Sequence, residues 1–184
     1  MNVATKLTAF DIDAIDGITR RELAPIARQI DEERVYPEQI MRDMGAAGAY
    51  GSHIGGTDAA TDLSNAITGM ARASEACLST GFCMWCQNAL AWYISSSDSD
   101  WLKVNILPGV ASGEILGGTG MSNPMKSIAQ IEPLRLKGTR VDGGYSVKGL
   151  LPWVSNLSDG GYFGIMFDVE DEQGPRTVMA IAKA

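Results

Sequence analysis

Apolar residues recur at every third or fourth position through about the first hundred residues and at every second position after Gly113. The first period is one face of a helix and the second is one face of a strand. The two cannot share one regular element, so the chain reads as α+β. An all-α domain is expected over residues 1–113, and a partial antiparallel β domain over residues 114–184.

Within the first part, Asp13 or Asp16 can cap a helix carrying Ile18, Leu23, Ile26 and Ile30, kinked at Pro25 and fading near Glu33. Pro37 suits the first turn of a second helix with Ile40, Met41 and Met44 on one side, ending in the glycine-rich stretch 45–51. His53 belongs to the loop that follows. It is the only histidine and has no carboxylate or nucleophile beside it in sequence, so a structural role is expected. Thr57 or Asp58 can cap a third helix running towards Glu75. A fourth, over residues 80–95, carries Phe82, Met84, Trp85, Leu90, Trp92 and Tyr93 and reads as buried on most sides. A fifth follows Asp98 or Ser99, before Pro108 and Gly113.

The second part holds four or five strands. Asp142-Gly143-Gly144 marks a hairpin turn, because glycine accepts the positive φ of tight turns. Gln173-Gly174-Pro175 marks another, between residues 162–169 and 177–182. A last strand left unpaired would be an aggregation hazard, so further chain or a partner is expected to cover it.

Composition narrows the function. The net charge is -7 and the 15 basic residues are scattered, so no stripe neutralises successive phosphates and nucleic acid is not an expected partner. No apolar run approaches the roughly 20 residues of a membrane span, and the start of the chain lacks the pattern of a signal peptide, so a cytoplasmic setting is expected. Cys77, Cys83 and Cys86 are odd in number and bunched, which suits reduced thiols filling a helix face. With a single histidine and no second cysteine pair, no metal site is expected.

Several segments together resemble the acyl-CoA dehydrogenase family of flavoenzymes. The stretch 23–31 (Leu-Ala-Pro-Ile-Ala-Arg-Gln-Ile-Asp), Pro37 and the 44–48 ending (Met-Gly-Ala-Ala-Gly) look like its first two helices. Gly55-Gly56 looks like its double-glycine loop, and residues 107–114 (Leu-Pro-Gly-Val-Ala-Ser-Gly-Glu) resemble the segment leading into its β domain. Ser122-Asn123-Pro124 falls where the family has a Thr-Glu-Pro turn, and Trp153-Val154-Ser155-Asn156 resembles its Trp-Ile-Thr-Asn motif. The likeness spans nearly the whole chain but about half of a typical member.

The resemblance implies FAD as cofactor and an acyl-CoA or other small-molecule substrate. It implies reoxidation by an electron-transfer flavoprotein, and either a homo-oligomer or completion by another chain. An isoalloxazine ring needs an apolar wall and a few directed hydrogen bonds. By that analogy Trp153 supplies the wall, the Ser155 hydroxyl reaches the N5/O4 edge, and Val154 between them also contacts the cofactor. Met121 and Ser122 bind the pyrimidine end, and Thr119 stands where the family often has an aromatic residue.

The departures shape the functional reading. Met125-Lys126-Ser127 stands where the family has a glycine-rich run ending in Gly-Ser-Asp, leaving Ser127 as the substitute substrate contact. Without those glycines the backbone approaches a phosphate less closely. The family's catalytic glutamate lies in a C-terminal helical domain, so no base is nominated here. Glu22, Glu32, Glu33, Glu75 and Glu114 read as solvated or capping residues. Three functions stay open: a dehydrogenase fragment inactive on its own, a flavin monooxygenase of the same fold acting on an aromatic or heterocyclic substrate, and a non-catalytic subunit acting by association.

Overall fold

The computed structural model describes residues 7–54, 63–172 and 174–184. It divides into two compact units, Met1–Gly117 and Gly118–Ala184.

The first unit is helical. Asp11, rather than Asp13 or Asp16, caps the first helix by accepting the Ala14 N–H at 3.0 Å. Helix α1 (Ile12–Ile18) passes through a π-helical turn (Thr19–Leu23) into α2 (Ala24–Glu33). The wider turn comes just before Pro25, which has no N–H to continue the ordinary ladder. Arg34, in the left-handed region at φ 60°, ends α2. Helix α3 (Glu38–Ala46) starts directly after Pro37, and α4 (Ser64–Ala76) precedes α5 (Leu78–Ser95). The cap expected at Thr57 or Asp58 and the loop glycines Gly55-Gly56 lie outside the described residues.

Ser99 caps α6 (Asp100–Asn105) by accepting the Leu102 N–H, and Pro108 sits in the first turn of a separate α7 (Leu107–Ser112). Gly113, at φ 79°, closes α7 in a conformation open to glycine. The core gathers Ile15, Leu23, Met41, Met44, Tyr50, Ala73 and Met84. Fully burying an aliphatic side chain of this kind contributes about 1.5–3 kcal/mol. Helix α5 is buried over most of its circumference but keeps one exposed strip. Met84, Leu90 and Ile94 are shut from solvent, but Phe82, Trp85 and Trp92 are 50%, 47% and 40% exposed. These three rings lie on that strip, partly covered by neighbours of the same unit.

The second unit is a five-stranded sheet: β1 (Gly117–Thr119), β2 (Lys137–Val141), β3 (Gly144–Lys148), β4 (Tyr162–Asp171) and β5 (Gly174–Lys183). Asp142-Gly143 turns β2 into β3, with Gly143 at φ 75°. Gly174, at φ 88°, opens β5, and Gln173 of that turn lies outside the described residues. β5 pairs with β4 along its whole length. The sheet is mixed rather than antiparallel, because β2 meets β4 in parallel at Lys137↔Asp168 and Gly138↔Val169. Ile165, Phe167 and Val169 alternate into one face with Leu136, and Tyr145 meets Phe167 edge-on at 5.4 Å. Between β1 and β2 lies a short helix, α8 (Ser122–Ile128). Ser122-Asn123-Pro124 is therefore a first helical turn and not a free turn; proline is tolerated there because first-turn N–H groups have no intrahelical partner.

No described helix is long and apolar enough to cross a membrane, and no cluster of three metal-ligating side chains occurs among the described residues. Cys77, Cys83 and Cys86 form no disulfide.

Candidate functional site

The nominated residues all lie in the sheet unit. Thr119 and Ser155 form an isolated antiparallel bridge: the Thr119 N–H donates to the Ser155 carbonyl at 3.1 Å, and the Ser155 N–H donates to the Thr119 carbonyl at 2.9 Å. Two segments more than thirty residues apart in sequence are thereby clamped backbone to backbone. Gly118 makes the approach possible, since a Cβ at that position would collide with the Ser155 carbonyl oxygen. The Gly120 N–H extends the pairing to the Gly164 carbonyl of β4 at 2.8 Å, fixing this strand end to the sheet.

From the bridge the chain bends into α8. The Met121 N–H donates to the buried Thr119 hydroxyl at 3.3 Å, and Ser122, exposed, opens the helix. On the other side of the bridge, Val154 and Ser155 are half-buried and Trp153 is 68% exposed. Trp153 is thus no part of the sheet core. With Leu150 and Leu157 it gives the loop before β4 an uncovered apolar side.

Asn123, buried, ties α8 down. Its Nδ2 donates to Glu132 Oε1 at 2.9 Å and to the Pro133 carbonyl at 3.0 Å, while its Oδ1 accepts the Arg135 N–H at 2.9 Å. The Asn123 amide, and Arg135 after it, hold the Glu132 carboxyl below its ordinary range. Sequence reasoning passed over Asn123 as the middle of a motif. Its one signal was a polar residue beside a proline with no obligation to face water.

Thr119, Met121, Ser122, Val154 and Ser155 are brought together with Trp153; Ser127 is not. Ser127 lies five residues beyond Ser122 on α8, about 140° further round the helix axis. It makes none of the bonds of the bridge. A cavity of about 650 Å³ in this unit lies elsewhere, lined by Lys137, Asp168 and Arg176 among others. Three of its charged side chains are paired: Lys137 with Asp168 at 2.7 Å, and Arg176 with both carboxyl oxygens of Asp171.

In the helical unit, His53 is buried with Nε2 3.0 Å from the Asn88 carbonyl and its ring stacked on Trp92. Glu22, Glu32, Glu33, Glu75 and Glu114 are all exposed. Gln87 was missed by sequence reasoning. Fully buried in α5, it donates to the carbonyls of Val110 and Ile115 and accepts the Gly117 N–H, fixing the end of the helical unit.

Known proteins share this arrangement. Benzylmalonyl-CoA dehydrogenase of Aromatoleum aromaticum is 24% identical over 166 residues, covering 88% of this chain and 43% of its own. The fold is that of butyryl-CoA dehydrogenase from Megasphaera elsdenii, with a TM-score of 0.73 at 16% identity over 91% of this chain and 46% of that one. A chain described as the electron transferring flavoprotein of Acidaminococcus fermentans superposes at a TM-score of 0.75 with 18% identity, over 92% of this chain and 46% of its own. The chain thus spans less than half the length of the relatives it matches. The family described as acyl-CoA dehydrogenase, N-terminal domain, matches residues 12–114, and the chain belongs to the acyl-CoA dehydrogenase family.

Proposed function

We propose that the chain supplies part of the flavin site of an FAD-dependent acyl-CoA dehydrogenase. In this reading residues 1–113 and 114–184 are the helical and middle β portions of a longer assembly. The observation that carries the reading is the Thr119–Ser155 bridge. It holds an exposed indole, Trp153, and the opening of α8 at Met121 and Ser122 on one strand end. An apolar wall beside a hydrogen-bonding edge is what a flavin ring requires, so the residues present fit the cofactor.

Each residue then has a physical task. Trp153 covers a ring face and keeps water from it, with Val154 beside it. The Ser155 hydroxyl and the Ser122 hydroxyl orient the polar edges, and Thr119, by holding Met121 and Ser155 together, sets the distance between them. Bound FAD would supply the acceptor for a hydride from the substrate's β-carbon. The base that removes the α-proton is assigned to a part of the assembly outside this chain, since no buried carboxylate stands among the described residues of the site.

The names of the benzylmalonyl-CoA and butyryl-CoA enzymes support an acyl-CoA thioester as substrate class. The electron transferring flavoprotein superposition keeps such a flavoprotein as the expected redox partner. A homo-oligomer or a second polypeptide would complete the site, with Ser127 as the substrate contact. One observation favours a monooxygenase instead: Met125-Lys126-Ser127 forms the body of α8, where a glycine-rich phosphate-binding run would need open backbone.

The test is reconstitution of the chain with FAD and with FMN, followed by gel filtration and a visible spectrum. Retained FAD, lost in Trp153→Ala, and bleaching by an acyl-CoA once a completing chain is added would support the dehydrogenase. Retained FMN with no thioester-dependent bleaching would support the monooxygenase, and a colourless protein under every condition would leave a non-catalytic subunit.

A further inference from the structure

Outside the flavin region, the helical unit carries a cavity of about 350 Å³ between α4 and α5. On α5 it is lined by Trp85, Ala89 and Trp92, spaced so that all three fall on one face. The methyl of Ala89 leaves a gap between two large rings. Ala66, Ile67 and Met70 of α4, with Leu63 before it, add further apolar lining, and His53 and Asn88 add the polar groups. No charged side chain lines it among the described residues.

The two polar residues set the chemistry. His53 is 3% exposed and Asn88 is 6% exposed. His53 Nε2 faces the Asn88 main-chain carbonyl at 3.0 Å, and a carbonyl can only accept, so Nε2 carries the proton and Nδ1 is left as an acceptor. His53 Nδ1 and both Asn88 side-chain amide atoms have no hydrogen-bond partner among the described residues. Burial also lowers the pKa of His53, which keeps the ring neutral. Buried polar groups left unpaired cost about 1–3 kcal/mol each, so three in one place call for an explanation.

We propose that this slot binds a single aromatic ring carrying a neutral substituent able to donate and accept hydrogen bonds, such as a phenol hydroxyl or a primary carboxamide. The volume suits it. A cavity of about 150 Å³ already holds benzene, so this one has room for a ring and a short polar arm. The walls suit it too, since the indoles and the His53–Trp92 stack offer faces on which a ring stacks. The substituent donates to His53 Nδ1 and exchanges a hydrogen bond with the Asn88 amide, and since all three atoms are shut from solvent the lining shifts to admit it. A carboxylate is disfavoured, because it would enter without a cation to meet it.

The flavin-free chain is titrated with phenol, benzamide, benzoate, toluene and cyclohexanol, reading the indole N–H resonances of Trp85 and Trp92 by NMR. Expected is a saturable shift of those two resonances with phenol and benzamide, at a Kd on the order of 1 mM for a ligand this small. Toluene should bind more weakly and benzoate at least about tenfold more weakly. Ala89→Phe, which fills the gap, should abolish the shifts while circular dichroism stays unchanged. Asn88→Leu should weaken phenol and benzamide about tenfold and leave toluene unchanged or tighter. Absence of saturable shifts up to about ten times that Kd, equal binding of benzoate or cyclohexanol, or full retention in a folded Ala89→Phe chain would overturn the proposal. No flavin is present in the experiment, so its outcome is separate from that of the flavin reading.

Discussion

Replacing Gln87 by leucine tests whether one buried amide holds the end of the helical unit. The side chain makes three hydrogen bonds, at 2.9, 2.8 and 2.9 Å, to Val110, Ile115 and Gly117. Leucine has nearly the same volume, so the change removes bonding with little change in packing. A net value of about 1 kcal/mol per bond puts the loss near 3 kcal/mol. The added apolar burial returns about 1 kcal/mol, leaving the unit about 2 kcal/mol less stable. With a urea slope of about 2 kcal/mol/M, the midpoint should fall by about 1 M. Tryptophan fluorescence in a Trp153→Phe background follows this unit alone, since Trp85, Trp92 and Trp101 all lie within it. A midpoint within about 0.2 M of the parent would show that the three bonds contribute nothing net, and the reasoning would fail.

In the sheet unit, Gly118→Ala should break the Thr119–Ser155 clamp by steric conflict with the Ser155 carbonyl, abolishing FAD retention while β4 and β5 amides stay protected from hydrogen exchange. Trp153→Ala should leave the thermal midpoint of the sheet unit essentially unchanged, the side chain being mostly exposed, yet weaken FAD binding at least about tenfold by fluorescence titration. Asn123→Ala removes three hydrogen bonds; the Glu132 carboxyl should then titrate closer to its ordinary range by NMR and the Arg135 amide should exchange faster. His53 has a pKa lowered by burial, so the unfolded chain takes up its proton first as pH falls. Stability measured by urea titration should therefore be level with respect to this group above about pH 6.5 and decline below it. His53→Gln should remove that decline, and an unchanged pH profile in the variant would contradict the assignment.

What the sequence disclosed and what it hid divide by range of interaction. The Asp142-Gly143 turn, the Pro37 start of α3 and the Gly113 end of α7 are decided by a few neighbouring residues, and local chemistry reads them. The parallel contact of β2 with β4 joins residues thirty-one apart and leaves no local trace. Helix α5 shows a different limit. It is apolar nearly all round, which normally means burial on all sides, but α4 and α7 cover only part of its circumference and leave a strip with Phe82, Trp85 and Trp92 partly exposed. Ser122-Asn123-Pro124 was ambiguous because the residues that favour a turn are also those that open a helix. Asn123 and Gln87 escaped notice because a buried amide is recognised only by its partners, here ten or more residues away in most cases.

The position of α8 bears on which flavin chemistry the unit can serve. A glycine-rich loop offers successive N–H groups to a phosphate because no Cβ stands in the way. In α8 the backbone N–H of Met125 is already committed to the Met121 carbonyl at 2.9 Å. The carbonyls of Met125 and Ser127 accept from Ala129 and Gln130, so this segment's backbone is occupied by its own helix. Phosphate recognition at this point would have to come from side chains, and Lys126, 3.9 Å from Glu132, is the cation at hand. An exposed lysine in a loose pair attracts an anion weakly and without direction. In the proposed reading, ring binding and phosphate binding therefore stand on different footings. The Thr119–Ser155 clamp is a rigid, close-packed backbone feature, whereas CoA recognition would rest on a lysine whose contribution should fade with salt. If both operate, raising ionic strength should weaken the thioester and leave the flavin in place.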